Sequence, residues 1–159
     1  KPKISTKYLL AILNSYLLTW YFRVKSNEFD DLFPQIKVTE FKELPIKIID
    51  NQKPISKLVD FIIHIKSENI NDVFFTLLER ILNGCVYELY FGEEMKKAGV
   101  DILALVEKDL EAVKELPTEK AITTLYEKWQ EPKNEVRNRL LLMATRCPDT
   151  IGVIEASIK

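Results

Sequence analysis

Lys7, Tyr21, Arg23, Lys25, Lys37 and Lys42 have residue types and spacing that suit one chemistry. Their ammonium and guanidinium groups can hold phosphate oxygens, with an aromatic face among them for a sugar or base. The charge is unevenly placed. Residues 1–27 carry five basic side chains and no acidic one, while residues 28–159 carry 18 basic against 24 acidic, so the formal net charge of −1 conceals a polarised molecule. Phe29, Phe33 and Lys47 lie in the same stretch. The same residues also fit a plainer reading, in which the lysines are solvated and the aromatics complete a core.

Catalytic chemistry is poorly provided for. His64 is the only histidine, which excludes a histidine-rich metal site and argues against a Ser-His-Asp arrangement; its place opposite the apolar side of its helix reads as a surface histidine. Gly84, Gly92, Gly99 and Gly152 stand alone, so there is no glycine-rich phosphate loop. Pro148-Asp149 followed by Glu155-Ala156-Ser157 has the carboxylates of a metal-dependent nuclease motif but lacks its lysine. Cys85 and Cys147 are too few for a disulfide framework and have no histidine near them in sequence. They fit a reducing, cytoplasmic compartment and a buried or incidental role.

The elements that must position the basic residues are mostly helical. Residues 5–25 form an apolar run in which Leu9, Ile12, Leu13, Tyr16, Leu17 and Trp20 share one arc and Lys7, Asn14, Tyr21 and Lys25 the opposite strip. Ala11, Ser15 and Thr19 make a ridge of small side chains between them, and Ser5 or Thr6 can cap the start. Asn14, Ser15 and Thr19 interrupt the roughly 20 continuous apolar residues that a membrane span requires. No small-residue cleavage site follows Phe22, which argues against a secretory signal.

Next come a proline-bounded loop, a short extended piece at 36–38, one helical turn at 40–44 and a second short strand at 46–49. Helices are expected at 55–66 and 70–90, packed as an antiparallel pair. The second carries Phe74, Leu78, Ile81, Leu82, Cys85 and Leu89 on one stripe, with Glu79, Asn83 and Tyr87 away from it. Further helices are expected at 93–98, at 102–116 behind an Asp101 cap, at 121–130 and at 134–145, and a terminal strand around 151–158. The expected fold is therefore mainly α with a few short strands (α+β). A length of 159 residues at 47% hydrophobic content suits one core, or a small module with an appendage. The start at Lys1, without methionine and in mid-pattern, reads as a fragment of a longer protein.

Three passages together resemble the closing portion of the TaqI-like C-terminal specificity domain: Lys7-Tyr8-Leu9-Leu10-Ala11-Ile12-Leu13-Asn14-Ser15, Phe33-Pro34-Gln35-Ile36-Lys37 and Glu43-Leu44-Pro45-Ile46. That domain occurs in adenine-specific DNA methyltransferases and fused type II restriction–modification enzymes. Gln52-Lys53-Pro54-Ile55 with Val59-Asp60 is similar to the helix that follows. Val86-Tyr87-Glu88-Leu89-Tyr90-Phe91, and Glu131-Pro132-Lys133 with Val136-Arg137-Asn138, are similar to the tails of the fused enzymes.

The resemblance implies a helical fragment of a DNA target-recognition domain over residues 1–50, with a helical C-terminal extension over 51–159 packed on it. Its partners would be double-stranded DNA and an N-terminal methyltransferase domain of the same parent chain, with no membrane. S-adenosylmethionine is implied for the parent and no cofactor for these residues. The Asn/Asp-Pro-Pro-Tyr/Phe motif that holds a flipped adenine is absent, as is the glycine-bearing cofactor motif, so no catalytic residue is assigned here and only the parent is expected to be an enzyme. Asn14 and Ser15 sit on an apolar helix and read as interhelix hydrogen-bonding or packing positions rather than DNA contacts. A helical protein–protein interaction module without nucleic-acid binding is the alternative, supported by the acidic balance of residues 28–159 and by the two amphipathic helices.

Overall fold

Helix α5, Asp72–Ala98, runs through the middle of the protein and carries buried residues on several sides. A computed structural model describes residues 3–25 and 37–158 of the chain. Around α5 pack α1 (Thr6–Leu13), α2 (Tyr16–Lys25), α4 (Lys53–Ser67), α6 (Leu103–Ala112), α7 (Thr118–Gln130) and α8 (Glu135–Arg146). A five-residue α3 (Val38–Lys42) follows α2 in the chain, and a π-helical turn, Pro148–Gly152, leads into α9 (Val153–Ile158).

The described residues are helical with no strand among them, which overturns the expectation of an α+β fold with short strands. Ile36 lies outside the described residues, but Val38 opens α3, where the Glu40 carboxylate accepts from the Lys37 backbone N–H. Residues 46–49 form no strand: the Ile46 N–H donates to the Leu44 carbonyl at 2.9 Å, and side chains meet the backbone groups of Pro45 and Lys47. The Tyr8 hydroxyl donates to the Lys47 carbonyl at 2.6 Å, while the Tyr90 hydroxyl donates to the Pro45 carbonyl and accepts from the Lys47 N–H. At the C-terminus Ile151 and Ile154 are buried and Val153 is exposed; a spacing of three belongs to one helical face, whereas strand alternation would have paired Ile151 with Val153.

The run at 5–25 is two helices rather than one. Asn14 ends α1, and its side-chain amide donates to the Leu10 carbonyl. Ser15 then starts α2, its hydroxyl accepting from the Leu18 N–H at 3.2 Å. Ser5 sits at the head of α1 without capping it through its side chain; that hydroxyl pairs with the Ser56 hydroxyl on α4. The buried side of the pair is Tyr8, Ala11, Ile12, Ser15, Leu17 and Leu18, with Leu9 and Leu13 only half-buried. Tyr8 therefore faces inward beside Ile12, four residues along the same face.

Helix α5 absorbs the helix expected at 93–98 and bends at Phe91 (φ −118°, ψ 25°) instead of stopping at Gly92. It ends at Gly99, whose φ of 68° is the left-handed conformation that glycine adopts without a Cβ penalty. Asn83 and Tyr87, expected away from the core, are buried, because α5 is covered by helices on more than the one stripe that the sequence pattern marks. The start of α6 is capped from a distance. Glu88 accepts from both the Ile102 and Leu103 N–H groups at 2.7 Å, and Asp101, the expected cap, pairs with Arg139.

Burial, reinforced by the nearby Tyr90, pushes the Tyr8 phenol up to about 12 from its usual 10.0. The folded protein therefore holds this proton more tightly than the unfolded chain. The associated stability is fully present below pH 10 and is lost as pH rises towards 12. Tyr8→Phe should flatten that part of the stability–pH curve and cost about 1 kcal/mol near neutrality for the lost hydrogen bond. Urea titrations from pH 8 to 12 provide the measurement, and parallel curves for the two proteins would refute the assignment.

Candidate nucleic-acid interface

Lys7, Arg23, Lys25, Lys37 and Lys42 lie on or beside α1, α2 and α3 and divide by what they touch. Lys7 on α1 pairs with Asp60 on α4, a carboxylate supplied by the buried helix beside it. Arg23, near the end of α2, donates to the Ser157 carbonyl of α9 at 3.0 Å. Both side chains are thus directed towards the helical body.

Lys25 pairs with Glu43, just past α3, at 3.0 Å, and lies 5.7 Å from the centre of the Tyr21 ring. That hydrogen bond to Glu43 raises the Lys25 pKa above its ordinary value. The same pair brings the end of α2 to the end of α3. Helix α3 has no buried residue, and its apolar Val38 and Phe41 are exposed together with Lys37 and Lys42. Tyr21, Lys25 and α3 therefore come together, while Lys7 and Arg23 are tied to other parts of the fold.

Asn14 and Ser15 are structural. The Ser15 hydroxyl donates to the Ile12 carbonyl at 2.7 Å, and the Asn83 side chain on α5 accepts from the Tyr16 N–H at 2.8 Å. Asn83 went unrecognised in the sequence because its partner is 67 residues away and nothing local marks it. Beside this joint a cleft of about 290 Å³ opens between α1, α4 and α5, lined by Leu10, Asn14, Ile63, Phe75 and Asn83 among others.

The remaining chemistry-bearing residues do not assemble. His64 is half-buried rather than a surface residue, with Nε2 3.7 Å from a Glu119 oxygen at the start of α7. Cys85 and Cys147 are free and buried. Burial raises both thiols, and the Glu94 charge raises Cys147 further, which disfavours the thiolate that nucleophilic attack requires. No group of three or more metal-binding side chains occurs among the described residues. No helix there is long and apolar enough to cross a membrane.

A family comparison covers the stretch that carries Lys7, Arg23, Lys25, Lys37 and Lys42. Residues 1–46 match the TaqI-like C-terminal specificity domain. The search of curated proteins and that of solved structures returned no match. The matched specificity-domain span includes α1, α2 and α3 and ends just after the Glu43-Leu44-Pro45-Ile46 passage. It therefore holds all three motifs on which the resemblance rests, together with Lys7, Tyr21, Arg23, Lys25, Lys37 and Lys42. The motifs at 52–60, 86–91 and 131–138 lie beyond it. In the fold the specificity-domain span is not a free appendage, since α1 and α2 contribute Tyr8, Ile12, Leu17 and Leu18 to the same core as α4 and α5.

Proposed function

We propose that this chain is a DNA target-recognition and positioning portion of a restriction–modification enzyme, whose parent is an adenine-specific, S-adenosylmethionine-dependent methyltransferase. The match of residues 1–46 to a specificity domain supports this reading above all else. The exposed Lys37 and Lys42, at the two ends of an α3 that buries nothing and is held near Tyr21 and Lys25, suit it physically. In this reading residues 1–50 close the specificity domain and 51–159 form a helical extension that stiffens it. The enzyme acts in the cytoplasm, where its DNA lies.

The residues present do not fit the cofactor. Gly84 and Gly92 lie within α5, Gly99 ends it, and Gly152 closes the π-helical turn, so none forms the strand-to-helix loop that cradles such a ligand. In this proposal methyl transfer falls to an N-terminal methyltransferase domain of the parent, and this chain contributes grip and orientation.

Fluorescence anisotropy with a labelled DNA duplex across a salt series tests the proposal. Affinity should fall steeply with salt, and Lys42→Ala should lower the slope of log K against log salt by about 0.9. Lys7→Ala should change the slope less, because Asp60 already compensates that charge. Salt-insensitive binding, or none at low salt, would overturn the DNA reading. It would favour a protein-interaction module instead, for which the apolar cleft beside Leu10 and Ile63 offers a surface.

A further inference from the structure

An open crevice of about 890 Å³ lies where the loop after α3 meets the bent end of α5, and four cations from three separate elements line it. Lys47 comes from the loop, Lys96 and Lys97 from the last turn of α5, and Arg146 from the end of α8. All four are exposed. The acids lining the crevice are arranged differently. Glu88 is half-buried and spends its carboxylate on the two N–H groups that open α6, and Glu94 is half-buried and accepts from the Thr150 hydroxyl. Only Glu93 among the lining acids is exposed.

Part of this arrangement has a local explanation. Lysines in the last turn of a helix complement its negative end, and the Arg146 guanidinium donates to the Ala98 carbonyl there. That accounts for Lys96, Lys97 and Arg146 individually but not for Lys47. The Tyr90 hydroxyl holds both the Pro45 carbonyl and the Lys47 N–H, fixing this residue at the rim. Exposed cations converging from separate elements, over carboxylates turned inward, complement a polyanion laid across an open surface.

We infer that this crevice is a second DNA-backbone site, taking phosphates of the duplex on Lys47, Lys96, Lys97 and Arg146. The inference rests on the DNA reading above and extends the contact surface beyond the matched residues 1–46, onto α5 and α8. Its ligand is sequence-independent phosphate, so it adds affinity and orientation without base discrimination.

The full 159-residue chain, a labelled 24-base-pair duplex and anisotropy at several salt concentrations test it. Lys96→Ala with Lys97→Ala should lower the salt slope by about 0.9 per lysine and weaken binding by roughly tenfold per lysine at 0.1 M salt. Glu93→Gln should shift affinity the opposite way, tightening binding by a few-fold. These residues are exposed, so an unchanged melting temperature confirms that each variant folds. If the unaltered protein binds and Lys42→Ala weakens it, while the crevice variants bind as the parent does, the crevice is not a DNA site and the DNA reading stands. If the unaltered protein does not bind duplex even at low salt, both fail together.

Discussion

Trp129→Ala should lower the unfolding free energy by about 3–5 kcal/mol, the largest effect expected of any single substitution in this protein. Trp129 is fully buried and is the largest of the side chains that are. Truncation leaves a cavity at the junction of α6 and α7 that the surrounding helices cannot fill. It also strands a partner: the indole N–H donates to Asp109 at 2.8 Å, and Asp109, itself buried, takes Lys128 on its other oxygen. Asp109→Ala provides a comparison that keeps the volume of the indole. It should cost about 2 kcal/mol, because the indole N–H then lacks its acceptor while the half-exposed Lys128 ammonium returns to water. Urea unfolding of the two variants and their double mutant measures both terms. A Trp129→Ala cost below about 1 kcal/mol would show that α7 is not docked as described.

Ser15→Ala carries a prediction whose sign, as well as its size, depends on the fold. In one continuous helix over 5–25, alanine in place of serine would be neutral or slightly stabilising, since alanine is the better helix former. In the structure Ser15 is the cap of α2, and its hydroxyl bridges the Ile12 carbonyl and the Leu18 N–H in a buried site. The substitution should therefore destabilise by about 1–2 kcal/mol. Asn83→Ala, which removes the acceptor for the Tyr16 N–H, should cost about 1–3 kcal/mol. The two share one joint, so the double mutant should fall short of the sum. Chemical denaturation of the three variants is the measurement, and a stabilised Ser15→Ala would restore the unbroken helix. Since this joint sets the direction of α2, which carries Tyr21, Arg23 and Lys25, Asn83→Ala should also reduce DNA affinity without removing any cation.

Much of the helical plan was legible because its signals are local. The stripe of Ile55, Leu58, Val59 and Ile65 places α4, Gly99 ends α5 and Pro117 precedes α7, while Asn134, read as the first residue of the last helix, is the cap of α8. The misreadings share a cause. Residues 46–49 look strand-like by composition, but Tyr8 and Tyr90, far away in sequence, take the backbone groups of Lys47 and the Pro45 carbonyl. Residues 151–158 alternate weakly, yet Ile151 and Ile154 find the core with helical spacing. Asp101 has the chemistry of a cap, but Glu88 occupies that role from another helix.

The candidate interface divides in the same way. By itself the sequence determined the family resemblance over the first 46 residues, the acid-free positive charge of residues 1–27 and the lack of a catalytic motif, because these depend only on which residues are present and in what order. The tertiary structure alone decided how those charges are engaged. It gives Lys7 to Asp60, Lys25 to Glu43 and Arg23 to a carbonyl of α9, leaves α3 exposed, and gathers Lys47, Lys96, Lys97 and Arg146 around one crevice. Charge is a property of a residue, but its availability to a ligand depends on neighbours that only packing supplies.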